Sequence, residues 1–225
     1  MKKIAAIILT LALALLLFGC TSDKGRSGSE EGRKGEINYL VLVNRTHQLP
    51  EGWEDSLETV HMTNSQGLDV EVEKVSYEHY LLLKEALEKE GVYIDLDNAR
   101  RSVAEQQEIW DEFMGEYGEE YTRTYVAVPG YSEHQTGLAL DLYLVVDGVV
   151  IVLNEDLVQY PEIWAKIHEK LPEYGFILRY PQGREKDTGY GYEEWHIRYV
   201  GEEAAKIIAE KDLILEDYLL RLSAS

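Results

Sequence analysis

An α+β domain with a central antiparallel sheet flanked by helices is the fold this sequence predicts, and three observations predict it. Strand-like and helix-like segments are mixed without a regular strand-helix-strand alternation. Asp147-Gly148 separates two apolar runs, 137–146 and 149–153, which reads as a tight hairpin in the middle of the chain. The 225 residues, 45% of them hydrophobic, suffice for one well-cored domain and fall short of two large ones.

The N-terminus reads separately from that domain. Lys2-Lys3, an apolar run over 4–18 and then Gly19-Cys20 have the charged start, apolar middle and small residue of a secretory signal. The run is shorter than the roughly 20 residues of a membrane span, and it ends at the only cysteine in the chain. It is similar to a bacterial lipoprotein signal, in which cleavage leaves the cysteine as the lipidated first residue. Residues 1–19 are therefore expected to be removed and Cys20 to carry a lipid, anchoring the exported chain to the outer face of the cytoplasmic membrane. Residues 20–36 form a tether with four glycines and no large apolar side chain after the cysteine, and the domain occupies 37–225. A single cysteine excludes intramolecular disulfides. The formal charge of -20 opposes a nucleic-acid partner and favours a self-repelling, soluble surface, so a monomer is expected.

Within the domain, Tyr39-Leu40-Val41-Leu42-Val43 is strand-like and Leu49-Pro50-Glu51-Gly52 is turn-prone. Leu68-Asp69-Val70-Glu71-Val72 alternates as a half-exposed strand does. Ser76 precedes a helix to about Glu90, with Tyr80, Leu83 and Leu87 on one face and Gly91 past its end. Val92-Tyr93-Ile94-Asp95-Leu96 is apolar again. Ser102-Val103-Ala104-Glu105 has the form of a capping box, opening a helix whose apolar face continues through Ile109, Trp110, Phe113, Met114 and Tyr117. Arg101 sits just outside that helix N-terminus, where anionic groups are favoured. Pro161 starts a helix carrying Ile163, Trp164, Ile167 and Leu171, which Gly175 can end, and Phe176-Ile177-Leu178 returns to strand. A polar loop over 181–192 delivers the chain to Trp195-His196-Ile197-Arg198-Tyr199-Val200. An alanine-rich helix over 202–211 and an amphipathic tail with Leu213, Leu215, Tyr218 and Leu219 close the domain.

Chemistry concentrates in Ser132-Glu133-His134-Gln135-Thr136-Gly137-Leu138-Ala139-Leu140-Asp141 and Glu193-Glu194-Trp195-His196. His134, Asp141 and His196 can supply two imidazoles and a carboxylate to one metal ion, a donor set that suits zinc. Residues seven apart on a regular strand face opposite sides, so His134 and Asp141 converge only if the chain kinks. Thr136-Gly137 is the natural place, and small residues at 137 and 139 are expected to keep the shared face open. Glu193 lies three residues before a ligand, where a metallohydrolase needs its base. His47, His61, His79 and His168 read as ordinary histidines. Serine chemistry finds no Ser-x-x-Lys or Gly-x-Ser-x-Gly, and His-Glu-x-x-His is also absent.

These two stretches fit the patterns Ser-x-His-x-x-Gly-x-Ala-x-Asp and Glu-x-Trp-His, and the chain thereby resembles the VanY-type D-alanyl-D-alanine carboxypeptidases, relatives of the VanX dipeptidases in the LAS group of zinc peptidases. The likeness runs from about residue 38 to about 218, through Arg101-Ser102 with Gln106, Tyr174-Gly175-Phe176, Arg179-Tyr180-Pro181, Thr188-Gly189-Tyr190 and Arg198-Tyr199-Val200-Gly201. It implies an LAS-like fold, zinc on His134, Asp141 and His196, Glu193 as catalytic base, and Arg101 on the substrate carboxylate or developing oxyanion. Peptidoglycan stem peptides are the implied substrate. Arg100 replaces a common tyrosine and bears on subsite preference, and Glu194 replaces a common proline and reads as a solvated neighbour. Gln106 lines the cleft or makes a buried structural bond, Ser132 orients substrate or closes a turn, and Tyr190 and Tyr192 are loop tyrosines placed to overhang the cleft. L,D-carboxypeptidase or D,D-dipeptidase activity is an alternative on the same fold, and a non-catalytic zinc-containing wall-binding lipoprotein is a second.

Overall fold

The computed structural model describes residues 37–224. The expected signal segment, Cys20 and the rest of the tether lie outside the described residues. Among those described, no helix is long and apolar enough to cross a membrane.

The elements follow as α1 (Trp53–Ser56), β1 (Thr59–Thr63), β2 (Asp69–Glu73), α2 (Lys74–Lys89), β3 (Ile94–Asn98), α3 (Val103–Glu116) and α4 (Glu119–Tyr125). After a 3-10 turn, Glu133–Thr136, come β4 (Ala139–Val146), β5 (Val149–Ile151), α5 (Asn154–Leu157) and α6 (Pro161–Lys170), which a second 3-10 turn, Leu171–Tyr174, continues. The chain ends with β6 (Phe176–Leu178), α7 (Glu185–Thr188), β7 (His196–Tyr199), α8 (Glu202–Glu210) and α9 (Leu215–Ser223). The α+β class with an antiparallel central sheet is thus what the chain adopts.

That sheet is built on β4, the longest strand. β3 lies along one edge, and β7 and then β5 share the other, with β6 outside β7; every pairing is antiparallel. β4 and β5 meet at Asp147-Gly148, both at positive φ (51° and 78°), the conformation a two-residue hairpin of matched twist requires. β1 and β2 form a separate ribbon.

Alternation along the strands divides the sheet into two faces. Leu140, Leu142, Leu144, Ile197, Tyr199, Phe176, Ile94 and Leu96 point into the main core, against Tyr80, Leu83 and Leu87 of α2 and Trp164 and Ile167 of α6. The opposite face carries Asp141, His196 and Arg198. A second cluster joins Ile177 and Val200 to Ala204, Ala205, Ile208, Leu215 and Tyr218, so α8 and α9 cover the far end.

Three local expectations are corrected. Residues 39–43 form no strand, because the carbonyls of Tyr39 and Val41 are taken by the Arg198 guanidinium instead of a neighbouring strand. The helix expected after Ser76 starts at Lys74, since the Glu73 carboxylate accepts the Ser76 N–H at 2.7 Å and serves as cap. The apolar residues of α3 are only partly buried; its one fully buried residue is Gln106. The Ser102–Glu105 capping box is present as read.

Candidate active site

Antiparallel pairing brings two of the expected ligands face to face. Asp141 on β4 is directly opposite His196 on β7, so their side chains leave the sheet on the same side. The 3-10 turn Glu133–Thr136 supplies the third. It ends at Gly137, whose φ of +74° reverses the backbone before β4 and removes the parity conflict between His134 and Asp141. The kink is where the spacing predicts it, but Gly137 does not serve to open the ligand face. A Cβ at Gly137 would stand 3.2 Å from Glu73 Cβ, and none of its nearest neighbours is a ligand, whereas Ala139 shares the strand face of Asp141.

His134 Nε2 is 3.2 Å from Asp141 Oδ2, and His196 Nδ1 is 3.0 Å from Asp141 Oδ1. One donor atom from each of the three residues falls within 4.8 Å of the others. The Ala99 carbonyl accepts a hydrogen bond at 2.6 Å from His134 Nδ1, which fixes the proton there and leaves Nε2 with its lone pair toward Asp141. The backbone of Arg101 donates to the His134 carbonyl at 3.1 Å, so the loop after β3 and the 3-10 turn are clasped together. Asp141 Oδ1 is buried without a well-formed hydrogen bond, a state that a cation resolves. Two imidazoles and a carboxylate disposed in this way fit zinc with three protein ligands.

Electrostatics differ sharply across the site. Burial pushes Glu193 up to about 7, with the Asp141 charge adding and His196 and Arg101 opposing. Its Oε2 is 3.8 Å from His196 Nδ1. Burial disfavours the His196 cation, yet Asp141 and Glu133 outweigh it and raise the metal-free imidazole to about 9. Burial and Arg101 lower His134. The Arg101 side chain is partly buried, and its Nε has no protein partner.

These groups line one cleft of about 490 Å³. Gln106, Ser132, Tyr190 and Tyr192 line it too, as do Arg101 and Glu193. Gln106 combines both of its expected roles: Nε2 donates to the Ala127 carbonyl at 2.8 Å, and Oε1 is buried without a partner. Tyr190 is buried instead of overhanging, its ring 5.0 Å from that of Tyr180 and under the Arg45 guanidinium. Two departures from expectation lie outside the cleft. Arg100 is held by Glu71 at 2.6 Å and Glu54 at 3.0 Å and does not reach it. Glu194 is buried, not solvated, and its carbonyl lies 2.9 Å from His168 Nε2.

Sequence reasoning assigned no role to Glu133, Arg179 and Arg198, although all three sit directly behind the ligands. Glu133 Oε1 accepts from Arg179 Nε at 2.7 Å and Arg198 Nη1 at 2.8 Å, while Oε2 lies 3.6 Å from His196 Nε2. Arg179 pairs in turn with Glu216 of α9, which also accepts from Asn44. The flanking arginines hold the Glu133 carboxyl far below its ordinary value despite burial. An arginine set within an apolar strand, as in Phe176-Ile177-Leu178-Arg179 and Ile197-Arg198-Tyr199, is the signal that points to such a cluster.

An antiparallel sheet presenting two histidines and an aspartate that fit zinc, with a buried carboxylate beside them, is the arrangement of a metal-dependent hydrolase. The family model described as VanY, D-alanyl-D-alanine carboxypeptidase, matches residues 69–202. A D-alanyl-D-alanine carboxypeptidase of Enterococcus faecalis is 36% identical over 202 residues, covering 86% of this chain and 69% of that protein. A crystal structure of a mutant of the vancomycin resistance D,D-pentapeptidase VanY in complex with Zn(II) matches with a TM-score of 0.69 at 34% identity, covering 81% of this chain and 99% of that one. The LD-carboxypeptidase LdcB matches equally well, with a TM-score of 0.69 at 33% identity over 81% of this chain and 86% of that one. The chain belongs to the VanY family of D-alanyl-D-alanine carboxypeptidases.

Proposed function

We propose that this protein is a zinc-dependent D,D-carboxypeptidase that removes the C-terminal D-alanine from peptidoglycan stem peptides. The observation that carries the reading is the convergence of His134, Asp141 and His196 within 4.8 Å, with Glu193 next to a ligand nitrogen, in the cleft that Arg101 lines. Zinc, held by those three side chains, supplies Lewis acidity toward the scissile carbonyl. Glu193 takes the proton of the attacking water and returns it to the leaving amine, a task that suits a carboxylate whose burial raises its affinity for a proton. Arg101 binds the substrate's terminal carboxylate or the charge developing on the carbonyl oxygen. Gln106, Ser132 and Tyr190 contact the substrate from the walls.

Mass analysis of products from defined pentapeptide and tetrapeptide stems, with and without chelator, tests the reading. Chelator-sensitive loss of one alanine from the pentapeptide is expected. Release of a dipeptide, or trimming of the tetrapeptide alone, replaces it with the D,D-dipeptidase or L,D-carboxypeptidase reading. No metal-dependent cleavage leaves a wall-binding protein.

The charged, apolar and Cys20-terminated N-terminal segment supports an exported lipoprotein held at the outer face of the membrane, and the acidic surface supports a monomer. Fatty-acid labelling that survives in Cys20→Ser cells would overturn the anchor.

A further inference from the structure

Among the aromatic rings that neither hydrophobic core absorbs, four form an ordered group at the surface. Phe113 and Tyr117 at the end of α3 and Tyr121 and Tyr125 on α4 belong to neither cluster. Tyr117, Tyr121 and Tyr125 are 50%, 42% and 58% exposed. They are nevertheless ordered against each other. Ring centroids are 5.4 Å apart for Phe113–Tyr117, 4.8 Å for Tyr117–Tyr121 and 4.6 Å for Tyr121–Tyr125, a ladder with four-residue steps that keeps its rings on one side. An exposed apolar patch this continuous is the mark of a binding surface.

Its position and its surroundings restrict the ligand. Phe113, Tyr121 and Tyr125 line the same cleft as His134 and Asp141, and Tyr117 carries the stack past the cleft lining onto open surface. Whatever the rings hold is therefore continuous with what the metal site holds. Exposed Glu112, Glu116, Glu119 and Glu120 surround the ladder, and the nearby cation of Arg123 is paired with Glu119 at 2.7 Å. Such a field repels a polyphosphate or an anionic lipid surface and is indifferent to a neutral ligand. Tyrosine offers a flat apolar face with a hydroxyl at its wet edge. A pyranose ring is complementary to that, with C–H bonds on its face and hydroxyl and acetamido groups on its rim.

We infer that the Phe113–Tyr117–Tyr121–Tyr125 ladder is a saccharide platform that holds the amino-sugar chain to which the stem peptide is attached. This rests on the stem-peptide reading of the cleft and adds the glycan as a second point of recognition. The protein then acts on stems still joined to their glycan in preference to free peptides.

The test compares kcat/KM of the full-length chain in detergent on a free pentapeptide stem and on the same stem linked to its disaccharide. The wild type favours the disaccharide substrate by about threefold to tenfold, the worth of one aromatic stacking contact. Tyr117→Ala, at a position outside the cleft lining, abolishes that preference while free-peptide turnover is retained, and Tyr117→Trp restores it. Equal rates on both substrates, or a preference that Tyr117→Ala leaves intact, overturn the inference while the carboxypeptidase reading stands. Failure to cleave even the free pentapeptide overturns that earlier reading. The platform is then judged by NMR titration with the peptide-free disaccharide, where absence of shifts at the ladder tyrosines refutes it. Pelleting with phosphatidylglycerol vesicles that falls in Tyr117→Ala assigns the ladder to a membrane surface and refutes it also.

Discussion

Glu193 and His196 stand side by side and, without metal, both hold a proton more tightly than usual, which leaves one neutral and the other charged. Replacing Glu193 with glutamine keeps the side chain's shape and removes the base. Turnover of a pentapeptide stem should fall by roughly 10²- to 10⁴-fold while zinc content, read by atomic absorption, is unchanged. Loss of the metal in Glu193→Gln would mean that the carboxylate serves as a ligand. His196 without metal is raised to about 9 by Asp141 and Glu133. Below that value the metal must displace a proton, so apparent zinc affinity should climb by up to about tenfold per pH unit toward pH 9 and then level off. Competition with a chelator of known affinity across that range checks the slope, and a flat profile would show that His196 is already neutral.

At the scale of elements, the turn between His134 and β4 is the most exacting piece of backbone. Gly137 combines a φ of +74° with a space closed by Glu73. Gly137→Ala should cost about 1–2 kcal/mol of stability in urea unfolding and weaken zinc binding, because relief of the strain rotates His134 relative to Asp141. Full stability in that variant would locate the parity break elsewhere. Glycine's meaning here was legible from spacing alone: His134 and Asp141 are seven apart, and only a kink reconciles them. The capping box at Ser102 and the Asp147-Gly148 hairpin were legible for the same reason, since each depends on a few adjacent residues. Residues 39–43 were not. Their apolar alternation looks like a strand, and only the arrival of Arg198 from the far end of the sequence takes their carbonyls away from a sheet. Burial of Tyr190 and Glu194 also depends on distant partners that no local pattern reveals.

Across the whole molecule, a largely buried chain of charges runs from Glu216, which Asn44 caps with a hydrogen bond, through Arg179 and Glu133 to Arg198 and reaches the back of His196. Glu133 has a folded pKa depressed below its ordinary 4.5, so the stability it contributes is complete above that pH and is lost as the pH falls toward the folded value. Glu133→Gln should cost roughly 3–5 kcal/mol at neutral pH, because it leaves two buried guanidiniums short of a counter-charge. Its urea midpoint should then fall less steeply than the wild type's on acidification below about pH 4.5. Parallel pH profiles for the two proteins would show that the acid sensitivity comes from other carboxylates.

That charge chain also sets an order of events. Glu216 and its partner Asn44 are 172 residues apart, and Arg179 finds its second carboxylate only on the last helix. A nascent chain that has already released His134, Asp141 and His196 from the ribosome, with Glu133 behind them, still lacks Glu216, the second carboxylate on Arg179. The β4–β7 register alone can set Asp141 opposite His196, but the support behind them is complete only once α9 packs, so a chain stopped short of α9 should hold every ligand on a less rigid frame.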